Sequence, residues 1–496
     1  MAWRRSAPAL SPGWLAVRLR RTVTATMRAV TTASDSCQPA ARADRSDLRV
    51  IAGDAWAVFV GQVAVMGFAV VDTIVAGRHS DLSLATLSIG AAVFVTVHVS
   101  LMGLFTALLP IWAELRGARR LGEVGGSVRQ ALYIWAAASL LGLAVLLQPE
   151  PLLRWTDVPA GLQPVVVDYL AVLGWSLPAA LLFRAFGTLN QALGRPQLVS
   201  WLQVLALAVK LPLSVWLTFG GAGVPALGVV GCAWATFAVH GLLLGLALWL
   251  LRTQPLYEPL QLWRRPEPPH GPTLAAFARL GVPAALTMLV EITSFTLMAL
   301  FVARLGTTAT AAHQIAANVA ALMYMAPLSL AVASSARVGW WRGAGDEARA
   351  RAVVMQSFWL AGGLGLALAA MVFVAKPWIA AVYSAQAGVV LLATRLLGWV
   401  ALLHAADALQ TVAMFLLRCY RVTLAPFVVY GVLLWGVGLA GGYLLAYHGV
   451  GPLAAQHSPV AFWQAGGGAL IVVALLVWLM LGRVSRRAAA SVSVTH

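Results

Sequence analysis

Twelve stretches of this chain are each long and apolar enough to cross a lipid bilayer, and that constraint precedes every other. They lie near residues 53–77, 84–109, 130–148, 164–185, 197–219, 227–251, 277–303, 310–336, 353–375, 389–417, 423–447 and 461–482. A spanning helix needs about 20 mostly apolar residues. Inside lipid, only helices and closed barrels satisfy their own backbone polar groups, and runs of this length predict helices. Composition excludes the soluble alternative. Of 496 residues, 60 % are hydrophobic and only 10 % charged, whereas soluble domains carry about 25 % charged residues.

The formal net charge of +17 and pI of about 11.0 would fit a nucleic-acid binder. The distribution argues otherwise, because the basic residues sit in short clusters between apolar runs and form no stripe on a polar surface. With the N-terminus placed in the cytoplasm, 28 of the 34 Lys and Arg residues fall on the cytoplasmic side, five fall outside, and Lys210 lies within a helix. This is the positive-inside pattern. It predicts two cytoplasmic termini and no nucleic-acid partner. Cys37, Cys232 and Cys419 are far apart and form no CxxC pair, which speaks against a disulfide framework or a zinc site.

The expected fold is an all-α membrane protein of 12 transmembrane helices. Residues 1–50 read as a disordered basic cytoplasmic tail without a signal peptide. Residues 51–251 and 277–482 read as two six-helix bundles, and 483–496 as a second tail. Between the bundles, 252–276 carries six prolines and reads as a cytoplasmic linker. The halves repeat with an offset of 226 residues: Arg116-Gly117-Ala118 recurs as Arg342-Gly343-Ala344, Arg195 as Arg421, and Ile89 as Ile315. Six helices per repeat give both halves one orientation, so a pseudo-two-fold axis along the membrane normal is expected. A central cavity between the halves is then the natural substrate site.

No Gly-Lys dipeptide exists to build a P-loop, and neither HExxH nor GxSxG occurs. The chain reads as a transporter without enzymatic activity or cofactor, and energy for any uphill movement is expected from an ion gradient or a partner. Ionisable groups within the hydrocarbon each cost roughly 2.5–3.5 kcal/mol on insertion scales, which marks them as functional candidates. Three acids lie well inside helices: Asp72, Glu291 and Asp407. Thr287, Ser294, Phe295 and Met298 share a helix face with Glu291, and His404, Gln410, Thr411 and Met414 share one with Asp407. These eight are the candidate substrate-cavity residues, with Glu291 and Asp407 as candidate sites for Na⁺ or H⁺. Lys210 in the fifth helix needs a partner if buried. Asp72, the only intramembrane acid of the first half, is the partner expected, and the two form a candidate gate or proton relay. His98, His313, Gln314 and Asn318 read as polar groups joining helices.

At these residues the chain resembles a known family. "VEITSFTLMALFVARLGTTATAAHQIAANVAALMYMAPLSLAVASSARVG" resembles the seventh and eighth helices of the multidrug and toxic compound extrusion (MATE) family, NorM-like branch. "MGFAVVDTIVAG" resembles its first helix and "DALQTVAMFLLRCYRVT" its tenth. The resemblance runs from about residue 50 to 482. It implies a V-shaped pair of bundles in a bacterial inner membrane that exchanges cationic amphipathic drugs or dyes for Na⁺ or H⁺ by alternating access. It implies that Asp72, Glu291 and Asp407 match the family's cation-coupling carboxylates. The fifth helix departs from the family, which often has asparagines where this chain has Lys210 and Ser214. Coupling is therefore expected to rest on Glu291 and Asp407. The expected partners are small cationic compounds and membrane lipids, and the expected state is a monomer. The alternatives are a lipid-linked oligosaccharide flippase of the same broader superfamily, which would need basic cavity residues, and a lipid-transferring membrane enzyme, which would need an acidic metal-binding loop.

Overall fold

A computed structural model describes residues 47–155, 159, 161–221, 223–265, 267–452 and 454–493. Residues 1–46 of the expected N-terminal tail (1–50), Cys37 among them, lie outside the described residues, as do the last residues of the C-terminal tail; residues 47–50 begin the first helix.

Among the described residues, twelve helices are long and apolar enough to cross a membrane. They are α1 (Asp47–His79), α2 (Asp81–Gly117), α3 (Leu121–Leu146), α4 (Gln163–Ala192), α5 (Pro196–Phe219), α6 (Val229–Thr253), α7 (Gly271–Ala303), α8 (Thr307–Gly343), α9 (Glu347–Tyr383), α10 (Ala387–Cys419), α11 (Leu424–Tyr447) and α12 (Val460–Ala490). The chain is a multi-pass membrane protein of almost wholly helical structure. Each predicted run corresponds to one helix, and several helices are longer than the apolar run that marks them. A helix continues into the interface as long as its backbone bonds are satisfied, whereas hydropathy marks only the part in hydrocarbon. Of the two contact-defined units, Met1–Val50 is described only at its last residues, and Ile51–His496 holds all the rest.

Three local features depart from the simple pattern. Helix α2 is interrupted at Ala107–Leu108, between Asp81–Thr106 and Leu109–Gly117. Pro110 has no N–H to continue the ladder, and its ring displaces the carbonyl one turn earlier. Helix α11 contains a π-helical segment, Val432–Ala440, in a run where Gly431, Gly436, Gly438 and Gly441 allow the wider turn. Its Trp435 Nε1 donates to the carbonyl of Val290 at 3.2 Å, pinning α11 to the middle of α7.

The third departure is the linker. It forms a 3₁₀ turn, Pro255–Leu260, and is tied to the first half at several points. Tyr257 donates to Asn190 Oδ1 at 2.7 Å. Its burial pushes the phenol up to about 12, so it stays a donor at neutral pH. Arg129 donates to the Gln261 carbonyl at 2.7 Å and to Glu267 Oε1 at 2.5 Å. Gln130 bonds both the Pro268 carbonyl (3.0 Å) and the His270 N–H (2.9 Å). Tyr133 donates to the Glu267 carbonyl at 2.7 Å. Six prolines deprive this segment of helical bonding, and α3 supplies polar side chains in place of the missing partners.

The two repeats meet at the arginine-rich end, through α2 and α8, over glycines. A Cβ on Gly117 would strike the Trp340 carbonyl, and one on Gly343 would strike the Glu114 carbonyl. These two contacts interchange under the 226-residue offset. Gly339 faces Ala113 and the Pro110 backbone, and residues 113 and 339 are themselves offset equivalents. Only glycine lets two helix backbones approach this closely. Glu114 then pairs with Arg421 at 2.7 Å across the junction. Higher up, Gly103 abuts Ala285 and Gly281 abuts Leu104, while Ala107, Leu280 and Ala284 share a small apolar cluster.

Candidate functional site

The acids in the two halves have different surroundings. In the first half, one turn of α5 presents Lys210 and Ser214 to Asp72 on α1. Lys210 Nζ lies 2.9 Å from Asp72 Oδ1, and Ser214 Oγ donates to the same oxygen at 3.2 Å. Lys210 also donates to Thr236 Oγ1 on α6 at 2.6 Å, and that hydroxyl passes its own hydrogen to the Cys232 carbonyl at 2.9 Å. Lys210 is fully buried and Asp72 is 8 % exposed. A charge so placed is costly unless paired and hydrogen-bonded, and this arrangement pairs both charges. The Asp72 carboxylate already has a cation on it.

In the second half, α7, α8, α10 and α11 surround a narrow cavity of about 20 Å³ lined by Thr287, Met288, Glu291, Tyr324, Gln410, Thr411, Met414, Phe415, Arg418 and Tyr430. Glu291 is half-buried. Tyr324 lines the cavity beside Glu291 and Thr411. Asp407 is joined to the cavity through Gln410, whose Nε2 donates to Asp407 Oδ1 at 3.2 Å and lies 3.2 Å from Thr411 Oγ1. The two carboxylates are close enough to interact electrostatically. The wall thus offers carboxylate, hydroxyl, phenol and amide oxygens, the donor set that a hard cation such as Na⁺ accepts. The same carboxylates can instead take up protons.

Of the residues read from sequence as cavity candidates, the structure brings Thr287, Gln410, Thr411 and Met414 together around Glu291. Four lie off this cavity. Ser294 faces the helix backbone, its hydroxyl spent on the Val290 carbonyl at 2.7 Å. Phe295 is 41 % exposed, edge-on to Trp463, and Met298 packs against two apolar clusters. His404 is buried with its Nδ1 3.9 Å from Asp407 Oδ2, too far for a hydrogen bond. A helix face of 3.6-residue period is wider than one cavity, so residues three and four positions from an acid point to either side of it. Tyr324, Arg418 and Tyr430 line the cavity without having been singled out by sequence. Tyr324 and Tyr430 sit on helices with no intramembrane acid, and Arg418 was absorbed into the topology count.

Of the other intramembrane polar residues, His98 and His313 contact neighbouring helices, whereas Gln314 and Asn318 bond to each other along α8. His98 stacks between Phe94 (ring centroids 5.5 Å apart) and His240 (6.4 Å). His313 faces the Trp463 indole N–H at 3.3 Å, and Gln314 donates to Asn318 one turn on at 3.1 Å.

The MatE family model matches residues 57–216 and 283–444; the two matches begin 226 residues apart, the offset of the internal repeat. A probable multidrug resistance protein NorM of Aromatoleum aromaticum is 36 % identical over 435 residues, covering 87 % of this chain and 93 % of that one. Another from Chromobacterium violaceum is 34 % identical, covering 90 % and 97 %. The multidrug resistance protein MdtK of Yersinia pseudotuberculosis is 30 % identical, covering 85 % and 93 %. Among solved structures, the Vibrio cholerae MATE transporter VcmN in its bent form superposes with a TM-score of 0.77 at 18 % identity, covering 89 % and 97 %. A MATE transporter in the straight conformation gives 0.80 at 14 % identity, covering 90 % and 98 %.

Proposed function

This chain belongs to the MatE family, and from that membership we propose that it is a secondary active multidrug exporter of a bacterial inner membrane, with both termini cytoplasmic. It exchanges cationic amphipathic compounds for H⁺ or Na⁺ by alternating access. The observation that carries this reading is the joining of Glu291 and Asp407 to one oxygen-lined cavity by Gln410, Thr411 and Tyr324. A proton or Na⁺ on these carboxylates removes the charge that attracts a cationic compound, so each lowers the affinity for the other by the same factor. Met288, Met414 and Phe415 supply adaptable apolar wall, which tolerates varied substrates. The curated relatives, named as multidrug resistance proteins, support the substrate class.

Asp72 plays a different part. With Lys210 at 2.9 Å, the first half already carries its own cation, so ion coupling rests on the second half. Asp72–Lys210 acts as a gate or proton relay between α1 and α5.

One observation favours a second reading. A flippase for a lipid-linked oligosaccharide needs cationic groups to hold pyrophosphate, and Arg418 lines the cavity. Two acids joined to that same cavity oppose a polyanion, and the cation-exporter reading prevails.

The test is export of ethidium from everted vesicles under an imposed ΔpH or ΔNa⁺. Wild-type protein should move the dye in response to at least one gradient. Glu291→Gln and Asp407→Asn should each lower gradient-driven movement by at least about tenfold, the scale of one lost charge interaction in a partly buried site. If no gradient moves the dye, the exporter reading fails.

A further inference from the structure

Arg418 is the one charged side chain of the Glu291 cavity that the exchange scheme leaves without a task. It sits in the last turn of α10, 4 % exposed, with its guanidinium 4.1 Å over the Phe415 ring. It lines the Glu291 cavity and also an adjoining crevice of about 10 Å³ bounded by Ala284, Thr287, Met414, Val422, Thr423 and Pro426. A guanidinium has five N–H donors and keeps its charge at any physiological pH. Among the described residues the hydrogen bond that Arg418 makes is long, NH1 to Thr106 Oγ1 at 3.4 Å. That partner is a neutral hydroxyl on α2, in the other half of the molecule. Buried arginines are ordinarily held bidentate by carboxylate. This one shares its cavity with the carboxylate of Glu291, and with Asp407 by way of Gln410, without closing on either.

We propose that Arg418 is a tethered counter-ion that competes with the transported cations for Glu291 and Asp407 and so sets how tightly they bind. The inference rests on the reading of these acids as the cation site and adds a specificity-determining residue to it. Two acids in a partly buried, low-dielectric wall hold a cation strongly, and an exporter that binds its cargo too tightly does not release it. A permanent positive charge lining the same cavity weakens the site for every cation by a like-charge term. At the effective dielectric of a protein interior, a like charge about 10 Å away changes affinity on the order of tenfold. Thr106 offers the guanidinium a competing partner on α2. Because Thr106 belongs to α2, the strength of this competition depends on the contact between the two halves. Cations would therefore bind more tightly when the contact holds Arg418 back and less tightly when it is released.

The test measures equilibrium binding of tetraphenylphosphonium, a permanent monocation, to the purified full-length protein in detergent. Binding of dequalinium, a dication, is measured in parallel. Arg418→Gln should tighten tetraphenylphosphonium binding about tenfold and dequalinium binding more, while Arg418→Lys stays within about twofold of wild type. Thr106→Val, which keeps the shape and removes the acceptor, should weaken both. General damage to the site weakens binding in every variant, so the opposite signs of Arg418→Gln and Thr106→Val identify the counter-ion. Unchanged or weaker binding in folded Arg418→Gln overturns the proposal. If that variant does not fold, unchanged or tighter binding in Thr106→Val overturns it. If wild-type protein binds neither probe, the exporter reading itself has failed, a result distinct from either.

Discussion

At the scale of single residues, the pairing of Asp72 with Lys210 and the isolation of Arg418 are two answers to the same electrostatic problem. Each half contains acid in hydrocarbon, and each contains a basic side chain near it. In the first half the base has closed on the acid at 2.9 Å; in the second it stands off, which in the proposed exchange leaves the carboxylates to the transported ion. This contrast gives a stability prediction. Lys210→Met leaves Asp72 buried without its counter-charge and should cost about 3–5 kcal/mol, read as a lower midpoint of thermal unfolding in detergent. Adding Asp72→Asn should restore most of the loss, because the neutral pair has no charge left to compensate. If the double variant is as unstable as the single one, the pair is not what stabilises this site. The pairing was legible in the sequence because the first half offers only one intramembrane acid to its only intramembrane lysine. Arg418 was not legible. An arginine at the end of a hydrophobic run looks like one more residue obeying the positive-inside rule, and only the tertiary structure shows its guanidinium turned back into the bundle.

At the scale of elements, the linker is the clearest case of local composition misleading. Six prolines describe what the segment cannot do, which is form a helix, and suggest a loose tether. Its structure is imposed by Arg129, Gln130, Tyr133 and Asn190, partners 67 to 140 residues away along the chain. No window of sequence contains both sides of those bonds. Arg129 is 7 % exposed, so Arg129→Ala removes two charge-assisted bonds and leaves the Gln261 carbonyl without its partner. The expected cost is about 1.5–3 kcal/mol, felt locally as release of residues 255–270. Limited proteolysis should then cut within this segment several-fold faster than in wild type, while cleavage elsewhere is unchanged. Equal cleavage rates would show that the prolines alone hold the strap. The π-helical turn of α11 was hidden for a similar reason. Its glycines permit a wide turn but do not require one, and the bond from Trp435 to Val290 that accompanies it joins residues 145 apart.

At the scale of the whole molecule, the sequence contains the repeat but not its use. The recurrence of Arg-Gly-Ala at an offset of 226 residues marked a duplicated six-helix unit, and the family match at both copies bears on the same duplication. The glycine in each copy turns out to be where the opposite copy's backbone passes, Gly117 against Trp340 and Gly343 against Glu114. A contact that obeys the repeat offset is the contact expected around an axis relating the two halves, and the Glu114–Arg421 pair closes it at 2.7 Å. Under the proposed alternating access this junction forms in one state and opens in the other, and it forms only if neither glycine carries a side chain. The obstruction in both cases is backbone, which cannot rotate aside as a flexible side chain would. Gly117→Leu and Gly343→Leu should therefore each hold the arginine-rich end apart and reduce dye export by at least about tenfold. Both variants should still insert, because leucine is favourable in a spanning helix. Gly122 provides the control: a Cβ there meets nothing within 4 Å, and Gly122→Leu should export normally. Normal export by Gly117→Leu and Gly343→Leu, at wild-type levels of protein in the membrane, would mean that closure of this junction is not a step of the cycle.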